Sequence, residues 1–135
     1  MTMIEVNDLI GKPFASEPDK AFGPNSFSCY GLTREVHRRV GIDLPKVNIS
    51  VIACAQVSQD MIQEHAMKYW QRIESPVVPC VVLIKSTNPE YADHICTYIG
   101  RGRIIHVMIN RPVAVEKISG WKQKIIGYWK YVSSC

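Results

Sequence analysis

The hydrophobic pattern of this 135-residue chain changes period near its middle. Between residues 29 and 41 the apolar side chains Leu32, Val36 and Val40 recur every four positions, which is the spacing of an amphipathic helix. From residue 80 onward the apolar positions form short runs rich in β-branched residues, which are typical of buried strands. Helices followed by strands predict an α+β domain, with N-terminal helices packed on a C-terminal antiparallel β-sheet.

Local signals place the predicted elements along the chain. We expect a short capped helix at residues 7–13, a loop over 15–28, a helix over 29–41 ended by Gly41, and a second helix from 58 to about 73. Strands are expected at residues 80–84, 94–99 and 103–109 and within 121–131, and Gly100-Arg101-Gly102 forms a tight turn between the middle two. Residues 46–57 fit either a strand or the beginning of a helix.

Length and composition favour one globular domain over residues 1–135. The chain is 47% apolar and 21% charged, with a formal net charge of +4. Its basic residues are scattered, so a nucleic-acid partner is not expected. No segment reaches the roughly 20 apolar residues of a membrane span, and the N-terminus lacks the basic and apolar regions of a signal peptide. We therefore expect synthesis in the cytoplasm and no membrane insertion.

The five cysteines are separated widely along the chain, at positions 29, 54, 80, 96 and 135. Because no two are spaced as zinc ligands, a structural metal is not expected. In the absence of an export signal we expect reduced thiols. Cys54, Cys80 and Cys96 are expected to be small core residues.

Cys29 differs from the other cysteines because it stands at the beginning of the predicted helix. The positive end of the helix dipole favours the thiolate, which is the nucleophilic form. His94 and His106 lie in the two strands joined by the tight turn, so they are near-opposite or diagonal neighbours on one face of the sheet. A cysteine at a helix start with histidines on strands is the arrangement that a cysteine peptidase needs. His37 and His65 are expected to be solvated.

Five short segments occur in order along the chain: Ile10-Gly11-Lys12-Pro13-Phe14, Phe27-Ser28-Cys29-Tyr30-Gly31-Leu32, Val78-Pro79-Cys80-Val81-Val82-Leu83-Ile84, Asp93-His94-Ile95-Cys96-Thr97-Tyr98-Ile99-Gly100 and Ile104-Ile105-His106-Val107. Together they resemble the motifs of the NlpC-type papain-like cysteine peptidases, which cut peptide bonds in bacterial cell-wall stem peptides. The resemblance runs from about Asp8 to Tyr131. It implies a papain-like fold and a reaction that needs no cofactor and no metal.

The resemblance also implies roles for individual residues. Cys29 is the implied nucleophile, His94 the general base and acid, and His106 the residue that orients His94. The implied substrate contacts are Ser28, Tyr30 and Asp93. Ser28 stands where the family has Asp, and Tyr30 where it has Ser.

The implied function is hydrolysis of an amide in peptidoglycan stem peptides. An aromatic residue after the cysteine resembles the branch found in phage tail assemblies, so phage tail proteins are candidate partners. Delivery to the cell wall by a phage or prophage particle, or by a secretion system as an antibacterial effector, fits the missing export signal. The alternatives are an inactive papain-like structural tail module and a cytoplasmic amidase or thioesterase of the same fold.

Overall fold

The computed structural model describes residues 3–17, 19–44, 70–85 and 94–132. Within these ranges, the regular elements are one α-helix, one 3₁₀ segment and six strands. They are α1 (Cys29–Arg38), β1 (Trp70–Ile73), β2 (Cys80–Ile84), β3 (His94–Gly100), β4 (Arg103–Met108), β5 (Arg111–Lys117), the 3₁₀ segment Ile118–Lys124 and β6 (Ile125–Tyr131). Within these described ranges, no helix is long and apolar enough to cross a membrane.

The six strands form one sheet in the order β1-β6-β2-β3-β4-β5, and every neighbouring pair is antiparallel. With α1 packed on β3 and β4, this is the predicted α+β architecture. Strand β3 is central because it pairs with β2 on one side and with β4 on the other. The turn between β3 and β4 uses left-handed backbone at Arg101 and Gly102, as the Gly-rich sequence predicted.

Helix α1 begins where the sequence places it. The Ser28 side chain caps the helix by accepting a hydrogen bond from the Gly31 N–H at 2.9 Å. At the other end Gly41 has φ +83°, the left-handed conformation predicted there, and the helix itself ends at Arg38. Val40 was expected on the apolar stripe, but it lies beyond the helix and is 45% exposed.

Both faces of the sheet are covered. Leu32 and Val36 of α1 pack on one face, against Ile99, Ile105 and other residues of a buried cluster that also includes the N-terminal segment. The opposite face carries the alternate residues of the same strands and is covered by the 3₁₀ segment. This second cluster contains Cys80, Val82, Ile84, Cys96 and Ile104, with Ile118 and Trp121 packed against it.

His37 was expected in solvent, and this expectation is wrong. The ring is fully buried in α1, its Nδ1 lies 2.7 Å from the Thr33 carbonyl oxygen, and its edge packs on Trp70. Burial lowers the pKa of His37 to about 4, so the ring is neutral at pH 7. Thr33 is also buried, and its hydroxyl accepts a 2.7 Å hydrogen bond from Thr97 of β3. The buried face of α1 is therefore wider than its apolar stripe and includes polar side chains.

Three further predictions about elements need correction. Residues 7–11 form hydrogen-bonded turns instead of a helix. Trp70–Ile73, the end of the predicted second helix, is strand β1, and residues 46–69 lie outside the described residues. Strand β5 was not predicted, whereas the strand expected within residues 121–131 is confirmed as β6, which follows the 3₁₀ segment. Trp70 and Trp129 are buried in the core, as expected.

The first turn of α1 approaches the preceding loop so closely that only glycine fits at position 31. A Cβ on Gly31 would lie 1.8 Å from the Ala21 carbonyl oxygen, whereas a Cβ on Gly120 would meet nothing within 4 Å. We predict that Gly31→Ala lowers the free energy of unfolding by about 3 kcal/mol or more, since backbone must move. Gly120→Ala is the matched control and should change it by less than about 0.5 kcal/mol. Urea denaturation of both variants checks this, and equal stabilities would contradict the close approach.

Candidate active site

The two strand histidines form a buried, directly hydrogen-bonded pair. His94 Nε2 lies 2.8 Å from His106 Nδ1. His94 is 5% exposed and His106 is 3% exposed. The strand register explains the contact. Tyr98 pairs with Ile104 and Thr97 with Ile105, so His94 is a diagonal neighbour of His106 on the same face. This confirms the predicted proximity and selects the diagonal arrangement.

The carboxylate of Glu116, which was not predicted from the sequence, extends the histidine pair. The second ring nitrogen of His106, Nε2, is hydrogen-bonded to Glu116 Oε2. Glu116 lies on β5 directly opposite Ile104, which places it on the same face as His106. Its side chain is 31% exposed, so one end of the chain of polar groups reaches solvent. Val113 and Val115 alternate with smaller or polar residues, and this pattern could have predicted both strand β5 and the face on which Glu116 lies.

Trp121 packs against His106. The indole of Trp121 stands edge-on to the His106 ring, with centroids 5.5 Å apart and an interplanar angle of 84°. Lys124 Nζ lies 5.7 Å from the Trp121 ring centroid on the outer side. Because the indole excludes water from His106, the hydrogen bonds of this ring act in a medium of low dielectric and gain strength.

Cys29 is the first residue of α1 and is 5% exposed. It packs in a buried cluster with Val81, Leu83 and Ile95, among others. Ile95 follows His94 directly in β3, so the cysteine lies toward the end of β3 at which the histidine pair is found. The structure thus places the beginning of α1 and the histidine pair near the same end of the sheet.

In the structure Cys29 is disulfide-bonded, and its partner is not among the described residues. Of the described cysteines, Cys80 and Cys96 are free and buried. The expectation of reduced thiols is therefore wrong for Cys29. A thiolate at this position forms only after a reductant has cleaved the disulfide.

The substrate contacts expected at Ser28 and Tyr30 stay predictions, and the structure shows what else the two side chains do. Ser28 is 0% exposed, and its hydroxyl is used as the helix cap. Tyr30 is buried in the core beside Phe22, and burial raises the pKa of its phenol to about 12. Both residues therefore hold the first turn of α1 in place. Asp93 lies outside the described residues.

Three described side chains come close enough to be considered as metal ligands. The ligand atoms of His94, Cys96 and His106 all lie within 4.8 Å of one another. Burial first and the Glu116 charge second raise the pKa of the Cys96 thiol well above its usual range. The two imidazoles also direct their nitrogens at each other at hydrogen-bond distance. The group therefore fits a proton relay better than a metal centre.

Comparison with known proteins supports the fold. No protein-family model and no curated protein matches the chain. Among solved structures, an NLP/P60-family protein of Staphylococcus aureus, described as similar to lipoprotein, superposes with a TM-score of 0.60 at 23% identity, over 93% of this chain and 38% of its own. NlpC2 of Trichomonas vaginalis superposes with a TM-score of 0.60 at 18% identity, over 90% of this chain and 44% of its own. NlpC1 of the same organism superposes with a TM-score of 0.57 at 21% identity, over 90% of this chain and 40% of its own.

These similarities show a papain-like fold of the NlpC/P60 type, as the sequence predicted. The chain spans about two fifths of the length of the structures that it matches.

We predict that alkylation by iodoacetamide depends on reduction at Cys29. Without reductant, Cys29 should remain unlabelled because its sulfur is bonded. After reduction, it should label faster than Cys80 and Cys96, because burial raises the pKa of Cys80 to about 12 and that of Cys96 still further. Peptide mapping by mass spectrometry checks this. Equal labelling of Cys29 with and without reductant would contradict the disulfide, and slow labelling after reduction would contradict an activated thiol.

Proposed function

We propose that this chain is a cysteine peptidase that hydrolyses an amide bond in the stem peptides of bacterial peptidoglycan. The observation that carries the proposal is the buried His94–His106 hydrogen bond, near the end of the sheet to which α1 brings Cys29. The NlpC/P60 type of fold and the five ordered motifs support the same function. Cys29, His94 and His106 are the proposed nucleophile, base and orienting residue.

The geometry of the histidine pair supports a proposed role for each ring nitrogen of His94. His94 directs Nε2 at His106, so Nδ1 is the nitrogen that receives the proton of Cys29. Alternation along β3 turns Ile95 toward α1 and His94 toward the opposite face. His94 is the first residue of β3. We infer that its ring reaches the Cys29 thiol past this end of the strand and accepts its proton there.

The proposed reaction proceeds through an acyl-enzyme. After reduction, His94 Nδ1 takes the Cys29 proton, and the thiolate attacks the carbonyl carbon of the amide. The backbone N–H of Cys29, in the first turn of α1, is the proposed donor to the oxyanion. His94 returns the proton to the leaving nitrogen as the C–N bond breaks. Water, deprotonated by His94, then hydrolyses the thioester and restores the thiol.

Delivery by a phage or prophage tail, with tail proteins as partners, is the proposed route to the cell wall, and secretion as an antibacterial effector is the second. Both rest on the sequence resemblance and not on the site. The site itself requires only that a reductant reach Cys29 before the substrate does.

Digestion of purified peptidoglycan tests the proposal. We predict that the reduced protein releases stem-peptide fragments with one new amine and one new carboxylate, and that the oxidised protein releases none. Mass spectrometry of the soluble products identifies the amide that is cut. Cys29→Ser, treated in the same way, is the control for contaminating hydrolases. If the reduced protein has a reactive Cys29 but releases no fragment, the peptidase assignment fails, and an inactive structural module becomes the better interpretation.

The catalytic substitutions are predicted to have unequal effects. Cys29→Ala and His94→Ala should each remove essentially all turnover, because nucleophile and base act as one unit. His106→Ala should retain a measurable remainder, since His106 orients His94 and transfers no proton to the substrate. Lys130→Ala, at an exposed position of β6, is the control and should keep full activity. Kinetics on folded variants, verified by circular dichroism, check this. Turnover by His94→Ala would show that the roles are assigned wrongly.

A further inference from the structure

His94, His106 and Glu116 form a chain of three hydrogen-bonded residues. His94 is hydrogen-bonded to His106, and His106 is hydrogen-bonded through its other ring nitrogen to Glu116. His106 uses a different ring nitrogen on each side, Nδ1 toward His94 and Nε2 toward Glu116. The position of the protons along this chain therefore decides which nitrogen of His94 carries a lone pair.

An ionised carboxylate only accepts hydrogen bonds, so the hydrogen bond to Glu116 requires a proton on His106 Nε2. A neutral His106 with its proton on Nε2 has a lone pair on Nδ1, which accepts the proton of His94 Nε2. A neutral His94 with its proton on Nε2 then has its lone pair on Nδ1. This is the nitrogen assigned to the Cys29 proton.

The reverse arrangement of protons is unproductive. If His106 carried its proton on Nδ1, it would donate to His94 Nε2, and the neutral His94 would carry its own proton on Nδ1. His94 could then not accept a proton from the thiol. The observed distance of 2.8 Å between the two nitrogens suits both arrangements, so the pair alone does not choose between them.

We propose that Glu116 is a positioning residue that selects the productive tautomers of His106 and, through it, of His94. The inference rests on the proposed function, since it assumes that His94 is the base for Cys29. Glu116 also places a negative charge beside the relay when His94 becomes an imidazolium. It touches neither the thiol nor the reacting amide, so it acts only through His106.

The surroundings of Glu116 suit this function. Trp121 packs on His106 and keeps water from offering it an alternative partner. The outer side of the carboxylate faces a cleft of about 410 Å³ lined by Lys117, Trp121 and Lys124, among others. Cys96, the remaining group beside the two rings, stays protonated. Among the described residues near His106, Glu116 is thus the one that accepts a hydrogen bond from its ring.

Glu116→Gln tests the proposal, because the carboxamide has the same shape but its NH₂ can donate to His106 Nε2 and so favour the reverse arrangement. Nitrogen-15 NMR of the ring nitrogens in the reduced full-length chain reads the tautomers directly. The natural chain should carry protons on Nε2 of both His94 and His106, and Glu116→Gln should move them toward Nδ1. Glu116→Asp keeps an acceptor-only carboxylate and should keep the natural tautomers. Glu74→Gln, an exposed carboxylate after β1, is the matched control.

Two rates complete the test. Glu116→Gln should slow alkylation of reduced Cys29 about tenfold or more, and lower kcat on peptidoglycan fragments about 10- to 100-fold with KM unchanged. The proposal is overturned if His106 carries its proton on Nδ1 in the natural chain, or if Glu116→Gln changes neither tautomers nor alkylation. Altered tautomers without any peptidoglycan cleavage would support the relay and refute the proposed function. Cleavage of peptidoglycan by the natural chain, with tautomers and rates unaltered in Glu116→Gln, would support the proposed function and refute the relay.

Discussion

The antiparallel register between β3 and β4 is the constraint on which the site depends. It holds Tyr98 opposite Ile104 and so puts His94 diagonally across from His106. A shift of one residue would turn every side chain of β3 to the other face and separate the two imidazoles. The same shift would remove Thr97 from Thr33 and Ile99 from the cluster under α1. Packing of α1 on the sheet and formation of the histidine pair therefore depend on the same register.

Because both faces of the sheet are covered, the polar chain from His94 to Glu116 is asymmetric in its access to water. His94 and His106 are buried, whereas Glu116 is about one third exposed at the outer end. The carboxylate thus keeps part of its hydration, and the imidazoles lie in a medium of lower dielectric. In the proposed reaction, a proton moved to His94 from the thiol creates charge where water is scarce, and the fixed dipoles and the carboxylate of this chain would replace the missing solvent.

The sequence predicted the elements whose signals are local and failed where tertiary contacts decide. The β3–β4 hairpin has a Gly-rich turn between two apolar runs, so its strands and the approach of His94 to His106 followed directly. Trp70 and Ile73 fitted a helical stripe, but pairing with β6 makes them a strand. His37 is polar, and apolar periodicity does not reveal that it faces Trp70. Strand β5 went unpredicted, and Glu116 with it, since a partner strand gives it its position.

The serine before Cys29 shows how a motif departure can preserve a site. Where the resembling family has Asp, this chain has Ser28, an implied substrate contact. The buried hydroxyl caps α1 at the Gly31 N–H, and Asp and Ser are among the residues that favour this position for the same reason. Exchanging one cap for the other leaves the beginning of the helix, and with it the location of Cys29, unchanged. The departure therefore gives no argument against an active nucleophile.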